Sequence, residues 1–254
     1  MPQATVMMDA AHAVVYSALD GTGRAERVTQ RLTDAIVSGT LEDGERLPSE
    51  SDLAARLGVA VVTAREALET LRAQGLLVTR RGRAGGSYVR FDPDAAEAIT
   101  RSRVDALSRL ELRDLAVHYA AIAGMAAEVA ADRAGEDDLQ TLTDIDARAD
   151  LSDSGAARRA VGRFQLQVAA TSQSLRLVHV ELQLQAEVGP VLWLCLREEE
   201  YRVRSHRARL RVIDALRDLD PAAARSATTS LIDEAAEWLV AEKTAIERAK
   251  GQAS

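Results

Sequence analysis

Leu47-Pro-Ser-Glu-Ser-Asp-Leu-Ala-Ala-Arg-Leu-Gly-Val-Ala-Val-Val-Thr-Ala-Arg-Glu-Ala-Leu68 is the stretch whose reading decides the fold. Pro48 sets the entry to a short helix. Ser49 is a good N-cap, and Asp52 three residues on is an acidic relative of the capping box. Leu53, Ala54 and Leu57 share one face at helical spacing, and Gly58 stops the helix as a C-terminal glycine does. A second pattern begins after Val59, with Val62, Ala64, Ala67, Leu68 and Leu71 apolar, and ends at Gly75. A short helix, a glycine turn and a longer helix make a helix-turn-helix.

The flanks extend this reading. Val28, Leu32, Ile36 and Val37 mark an earlier helix ended at Gly39. Beyond Gly75, Leu76-Leu-Val-Thr79 reads as a strand, Arg80-Arg-Gly-Arg-Ala-Gly-Gly86 as a basic turn, and Ser87-Tyr-Val-Arg-Phe91 as the returning strand. Three helices and a hairpin with a cationic tip form a winged helix-turn-helix. Its second motif helix is suited to a major groove, and its wing to backbone or minor groove.

At these residues the chain resembles the DNA-binding domain of GntR-type bacterial transcription regulators. The likeness covers about Arg24 to Phe91 and rests on Gly44-x-x-Leu-Pro-Ser-Glu50, Leu53-Ala-x-x-Leu-Gly-Val59, Arg65-Glu-Ala-Leu68, Gly75-Leu76 and the glycine-rich wing. It implies that Arg65 reads a base, because a guanidinium reaches guanine O6 and N7 together. Thr63 is placed for a base edge or phosphate, and Ser49 for phosphate at a helix N-terminus. Arg81, Gly82 and Arg83 map onto the wing tip. The competing reading of Arg65 is a salt bridge within the domain, to Glu66 or Glu69; that of the three arginines is a solvated loop. Relatives commonly carry Ser or Thr where Ala60 stands and Arg where Val61 stands, and a subset carries Arg at Ser51. Val61 and Val62 offer methyl contacts to thymine but no donor, so a different operator is expected.

Charge is distributed accordingly. The net charge is −7, yet residues 24–90 hold 11 Lys or Arg against 9 Asp or Glu, so the acidic surplus lies elsewhere. Local placement of cations, not the total, governs DNA affinity. The single cysteine, Cys195, excludes an intramolecular disulfide. No leader opens the chain and no apolar run approaches the ~18 residues of a span, so a cytoplasmic protein without membrane contact is expected.

Residues 1–23 read as a tail, 24–91 as the winged domain, 92–109 as a linker helix opened by Asp92-Pro93-Asp94, and 110–250 as an all-α antiparallel bundle of about six helices. The fold class is thus mainly α. Leu115, Ile122, Met125, Ala126 and Val129 mark the first bundle helix; Leu139, Leu142 and Ile145 the second; Val161, Phe164, Leu166 and Val168 the third. Gly189-Pro190 should kink or split the apolar run from Leu175 to Leu196. A charged helix follows, with Val203, Leu210, Val212, Ile213 and Leu216 inward, then a last helix capped at Asp220-Pro221.

A winged domain followed by such a bundle resembles the FadR subfamily of GntR regulators, with its C-terminal FCD domain. That resemblance implies a homodimer on a palindromic double-stranded DNA operator, and a bundle that holds a small-molecule effector. Many relatives bind a divalent metal there. The corresponding positions are Val161, Gln165, Arg209 and Leu231, which make no ligand set, and His12, His118, His179 and His206 show no ligand spacing. Neither metal nor cofactor is expected. Tyr119 stands where relatives often carry an effector-binding arginine. The expected effector residues are therefore Tyr119, Gln165, His206 and Arg209, with Arg209 meeting an organic acid or acyl conjugate. The rival is a collapsed core in which Arg209 pairs with a carboxylate.

Catalysis has no support: no G-x-S-x-G or H-E-x-x-H occurs, Glu198-Glu-Glu200 opens an exposed helix, and Cys195 sits in apolar Val191-Leu-Trp-Leu-Cys-Leu196. The sequence reads as a ligand-responsive repressor. The alternative is a DNA-binding dimerisation or architectural protein whose bundle has lost its effector.

Overall fold

The computed structural model describes residues 15–16, 24–37, 41–82 and 85–253. The chain divides into two compact units after Ile99.

In the first unit, α1 (Arg24–Val37) buries Val28, Leu32 and Ile36 at four-residue spacing. Helix α2 (Glu50–Leu57) starts at Ser49, whose Oγ accepts the Asp52 N–H at 3.2 Å. It ends at Gly58, where φ is +66°. This left-handed conformation is nearly free for glycine and costly for other residues. Helix α3 (Val61–Ala73) buries Ala64, Ala67, Leu68 and Leu71. Val62, part of the same apolar pattern, is instead 57% exposed. It sits one position off the buried stripe.

Strands β1 (Leu77–Arg80) and β2 (Gly86–Val89) pair antiparallel, from Leu77 opposite Val89 to Arg80 opposite Gly86. The hairpin is anchored on its other edge by residues 44–47. Gly44 N–H donates to Val89 O at 2.9 Å, Val89 N–H to Glu45 O at 2.8 Å, and Leu47 N–H to Ser87 O at 3.0 Å. The segment before Pro48 therefore covers the β2 edge, a role with no signature in its sequence. One core gathers Leu32, Ile36, Leu53, Leu57, Leu68, Leu71, Leu76 and Val89, with Val15 and Tyr16 packed into it.

Helix α4 (Pro93–Ala106) contains the division between the units. Asp92 Oδ1 accepts the N–H groups of Asp94 and Ala95, capping it. Ile99 packs on the first core, and Val104 belongs to the core of the second unit.

The second unit is all helical among the described residues. It comprises α5 (Arg109–Ala131), α6 (Glu136–Ala147), α7 (Ser154–Thr171), α8 (Leu175–Glu187), the short α9 (Gly189–Leu192), a 3-10 turn (Trp193–Arg197), α10 (Glu199–Arg217) and α11 (Pro221–Ala253). Ser108 and Glu111 form a reciprocal capping box at the start of α5, and Asp220 accepts the Ala223 N–H at 2.9 Å at the start of α11. Gly189-Pro190 does split the apolar run, and the freed turn tightens to 3-10 geometry.

Two apolar clusters fill the bundle. One holds Tyr119, Val161, Trp193, Leu231 and Trp238, the other Phe164, Val168, Val212, Ile213 and Leu216. The buried face of α5 is made mainly of alanines, namely Ala116, Ala123, Ala126, Ala127 and Ala130, with Leu112, Tyr119 and Gly124. A Cβ on Gly124 would meet Thr229 Cγ2 at 2.8 Å, so small residues let α5 and α11 approach closely. Of the larger apolar residues that mark this helix in the sequence, Leu115 and Ile122 pack at the edge of the core. Leu115, Ile122 and Val129 are half-buried, and Met125 is 39% exposed. Leu210, expected to face inward on α10, is likewise exposed, because Ala208, Arg209, Val212 and Ile213 take the buried side. Among the described residues no helix is long and apolar enough to cross a membrane.

Candidate DNA interface and the polar centres of the bundle

Helix α3 presents an outward face of Val61, Val62, Arg65, Glu66 and Glu69, while Thr63 is half-buried. The N-cap, Ala60, supplies no side-chain hydrogen bond. The first-turn N–H groups of α3 thus lack a side-chain acceptor, and they suit phosphate. Ser49 is engaged locally. Besides capping α2, its hydroxyl lies 2.6 Å from Asp52 Oδ2 and 2.9 Å from Ser51 Oγ.

Arg65 projects from α3 and donates through Nε to Glu50 Oε2 at 2.9 Å. An ion pair within the domain therefore exists, but its partner is neither Glu66 nor Glu69. Glu50, fifteen residues earlier, opens the preceding helix and meets Arg65 across the turn. A pair this exposed contributes at most about 1 kcal/mol to stability.

On the wing, Arg81 and Gly82 are exposed and Gly82 has φ of +101°; Arg83 lies outside the described residues. Arg80 is committed, its guanidinium carbon 4.2 Å from the centre of the Tyr88 ring. Arg46 donates through Nη2 to Gly85 O at 2.8 Å, and Arg72 through Nη2 to Ser87 Oγ at 3.4 Å, bracing the hairpin against the helices. Arg46 and Arg72 escaped the sequence reading because their partners are 39 and 15 residues away.

The four effector candidates fall into separate bonding arrangements. Arg209, 1% exposed, donates through Nε to Asp146 Oδ1 at 2.7 Å and through Nη1 to Ser205 Oγ at 2.8 Å. Its Nη2 is buried without a partner. The other Asp146 oxygen lies 2.9 Å from Nδ1 of the half-buried His206, outside hydrogen-bond alignment. Arg209 is thus already paired with a carboxylate, as the collapsed-core reading supposes.

Tyr119 belongs to a second centre. Its hydroxyl donates to Glu181 Oε1 at 2.8 Å and accepts from Gln185 Nε2 at 2.6 Å, and Gln185 Nε2 also approaches Glu181 Oε1 at 2.7 Å. The Tyr119 and Trp193 rings meet edge to face, 6.0 Å apart. Glu181 is fully buried and its Oε2 has no partner. Burial pushes its carboxyl up to about 7, against the opposing hydrogen bonds from Gln185 and Tyr119. Periodicity gave no sign of Glu181 or Asp146, since their helices carry other acids and nothing local sets these two apart.

Gln165 is buried on α7. Val161 and Leu231 are core residues, so of the four positions that the resemblance points to for a metal two offer no donor and Arg209 offers a cation. These residues do not fit a metal, and among the described residues no group of three His, Cys, Asp or Glu is placed to hold one. Cys195 is buried, and desolvation pushes its thiol up to about 12, which leaves it protonated and unreactive. An open surface cleft of about 660 Å³ includes Glu128, Asp220, Arg225 and Thr229 but none of the four effector candidates.

Comparison with known proteins gives this arrangement its context. Residues 24–88 match the family of bacterial regulatory proteins named gntR, and residues 114–234 match the FCD domain. The chain is 36% identical over 180 residues to the putative HTH-type transcriptional regulator RmpR of Mycobacterium gastri, covering 70% of this chain and 66% of that protein. It is 34% identical over 137 residues to the HTH-type transcriptional regulator Rv0494 of Mycobacterium tuberculosis, covering 53% of this chain and 55% of that one. The chain therefore aligns with about half to two thirds of the length of these relatives. The solved structure of Escherichia coli McbR/YncC superposes with a TM-score of 0.50 over 87% of this chain and 99% of that one, at 18% identity, a likeness of fold. These relatives are named as transcription regulators, not enzymes. The chain is a member of the GntR family of bacterial transcription regulators, of the FadR-like kind that joins a winged helix-turn-helix to an FCD domain.

Proposed function

We propose that the protein is a cytoplasmic, homodimeric repressor that reads a palindromic operator with α3 and releases it when a small effector binds the bundle. The observation that carries the DNA reading is the outward face of α3, where Val61 and Val62 offer methyl surface and Arg65 a guanidinium, beside the exposed Arg81 and Gly82 of the wing. Thymine methyl contacts and a bidentate guanine contact are the readout these residues supply. Ser49 and the uncapped start of α3 add phosphate contacts that set register. Arg83, which follows Gly82 in the sequence, is proposed as a further DNA contact.

The test is footprinting on DNA flanking the coding region, then anisotropy across a salt series. Arg65→Ala is expected to weaken specific binding by about 1–3 kcal/mol while leaving non-specific affinity nearly unchanged. Equal losses on both kinds of DNA would remove Arg65 from readout.

Dimerisation is supported by a stripe on α5. Leu110, Val117 and Met125 recur at seven and eight residues and are 76%, 68% and 39% exposed, and large apolar side chains aligned on one helix face call for a covering partner. Val117→Asp is expected to shift sedimentation equilibrium from dimer toward monomer; an unchanged dimer would move the interface elsewhere.

For the effector, the buried Arg209 with one unpartnered nitrogen is the cation that an organic acid or acyl conjugate would meet, with Tyr119, Gln165 and His206 as further polar contacts. Ligand would act by binding one of two bundle states better than the other. The second reading, a bundle that only dimerises, is favoured by the Asp146–Arg209 pair, which already sets a carboxylate against that cation. A thermal-shift series with organic acids and acyl conjugates separates them. A rise in melting temperature supports the sensor, and none across the series supports the dimerising bundle.

A further inference from the structure

Arg65 meets Glu50 in a particular way. The contact runs through Nε, at 2.9 Å to Oε2, and neither Nη of Arg65 is hydrogen-bonded among the described residues. An exposed arginine held only at its base samples many rotamers. One whose Nε is given to a carboxylate has the plane of its guanidinium set, with the two terminal nitrogens directed away from the acid. Those nitrogens pair with O6 and N7 of guanine.

Glu50 is well built for this task. It is the first residue of α2 and follows the Ser49 cap, whose bonds to Asp52 and Ser51 order that turn. Its side chain is two-thirds buried while that of Arg65 is about half exposed, so the acid is the fixed member and the cation the mobile one. As a stability element so exposed a pair contributes little. As part of a DNA-facing surface a carboxylate repels phosphate. An acid here therefore works against general DNA affinity, and its benefit lies in orientation.

We infer that Glu50 is a positioning residue for sequence readout, holding the Arg65 guanidinium in the plane in which it pairs with guanine. The inference rests on the reading of Arg65 as a base-contacting residue. It predicts two effects of opposite sign. Removing the acid lowers discrimination at one G·C pair per half-site and raises, or leaves unchanged, affinity for unrelated DNA. A purely structural role moves both affinities down together.

The experiment uses full-length protein and a duplex enriched by it from a randomised library. Binding to that duplex, to versions with single G·C pairs replaced, and to an unrelated duplex is measured by anisotropy for wild type, Glu50→Ala, Glu50→Gln, Arg65→Ala and the double alanine variant. The expected result is a preference of roughly tenfold or more at one G·C pair in wild type, mostly lost in Glu50→Ala. The amide oxygen of Glu50→Gln, still able to accept from Nε, should restore part of it. The double variant should discriminate no worse than Arg65→Ala. Full wild-type preference in Glu50→Ala, with Arg65→Ala impaired, overturns the inference and leaves the Arg65 reading intact. Preference retained in Arg65→Ala overturns that reading and the inference with it. A parallel loss on specific and unrelated DNA in Glu50→Ala, with a lowered melting temperature, assigns Glu50 to folding alone and also overturns it.

Discussion

Arg209→Ala is expected to destabilise the helical bundle by about 3–5 kcal/mol, the range for removing one partner of a buried ion pair. Asp146 and Arg209 are 4% and 1% exposed, with Nε and Oδ1 at 2.7 Å. Truncation would leave the Asp146 carboxylate out of water with only the misaligned His206 ring beside it, and would open a space beneath Ser205. Replacing both members by apolar residues of similar volume, as in Arg209→Met with Asp146→Leu, should recover most of the loss. A charge pair in the interior offsets its own desolvation only narrowly. Urea unfolding followed by tryptophan fluorescence checks this, because both tryptophans, Trp193 and Trp238, lie in the bundle core. A loss below about 1 kcal/mol would mean that water reaches Asp146 in solution, since that is the worth of a solvated pair. The same numbers bear on effector binding. An acid that meets Arg209 must compete with Asp146, so its affinity should rise in Asp146→Asn even as that variant is less stable.

The second large effect concerns Glu181 and pH. Its carboxyl has an ordinary value of 4.5 and is raised to about 7 in the folded bundle, chiefly by burial. A raised value means that the folded state keeps a proton the unfolded chain has already released. Between pH 4.5 and 7 the folded state binds more protons, and stability falls as pH rises through that window, then levels above it. At 1.36 kcal/mol per unit the loss between pH 4.5 and 8 is about 3 kcal/mol from this group. Glu181→Gln keeps an oxygen for Tyr119 and Gln185 and removes the titration. It should flatten that part of the profile and leave the variant more stable than wild type at pH 8, with little difference at pH 5. Parallel profiles for the two proteins would show that Glu181 does not titrate in this range. The comparison isolates Glu181 from Asp233, which desolvation and the nearby Glu237 raise in the same direction.

Much of the molecule was legible in its sequence because the signals are local. Ser49 caps, Gly58 adopts φ of +66°, Gly75 adopts +76°, and Gly189-Pro190 interrupts a helix through properties of one or two residues. The helix-turn-helix, the hairpin and the order of the bundle helices follow from such punctuation together with a period of 3.6. The placement of Arg65 on an outward face was legible for the same reason. What tertiary structure alone decided is which groups meet. Glu50 and Arg65 are 15 residues apart, Asp146 and Arg209 63, Tyr119 and Glu181 62. An acid on a helix carries no mark of the partner that packing will bring to it. Which face of α5 is buried was also left to packing. Hydrophobicity ranks Met125 above Ala123, but the close approach of α11 at Gly124 leaves room there for small side chains, and Ala123 is buried where Met125 is exposed. Local chemistry determined the elements and their ends; the spacing between packed helices decided the faces, the ion pairs and the protonation of the core.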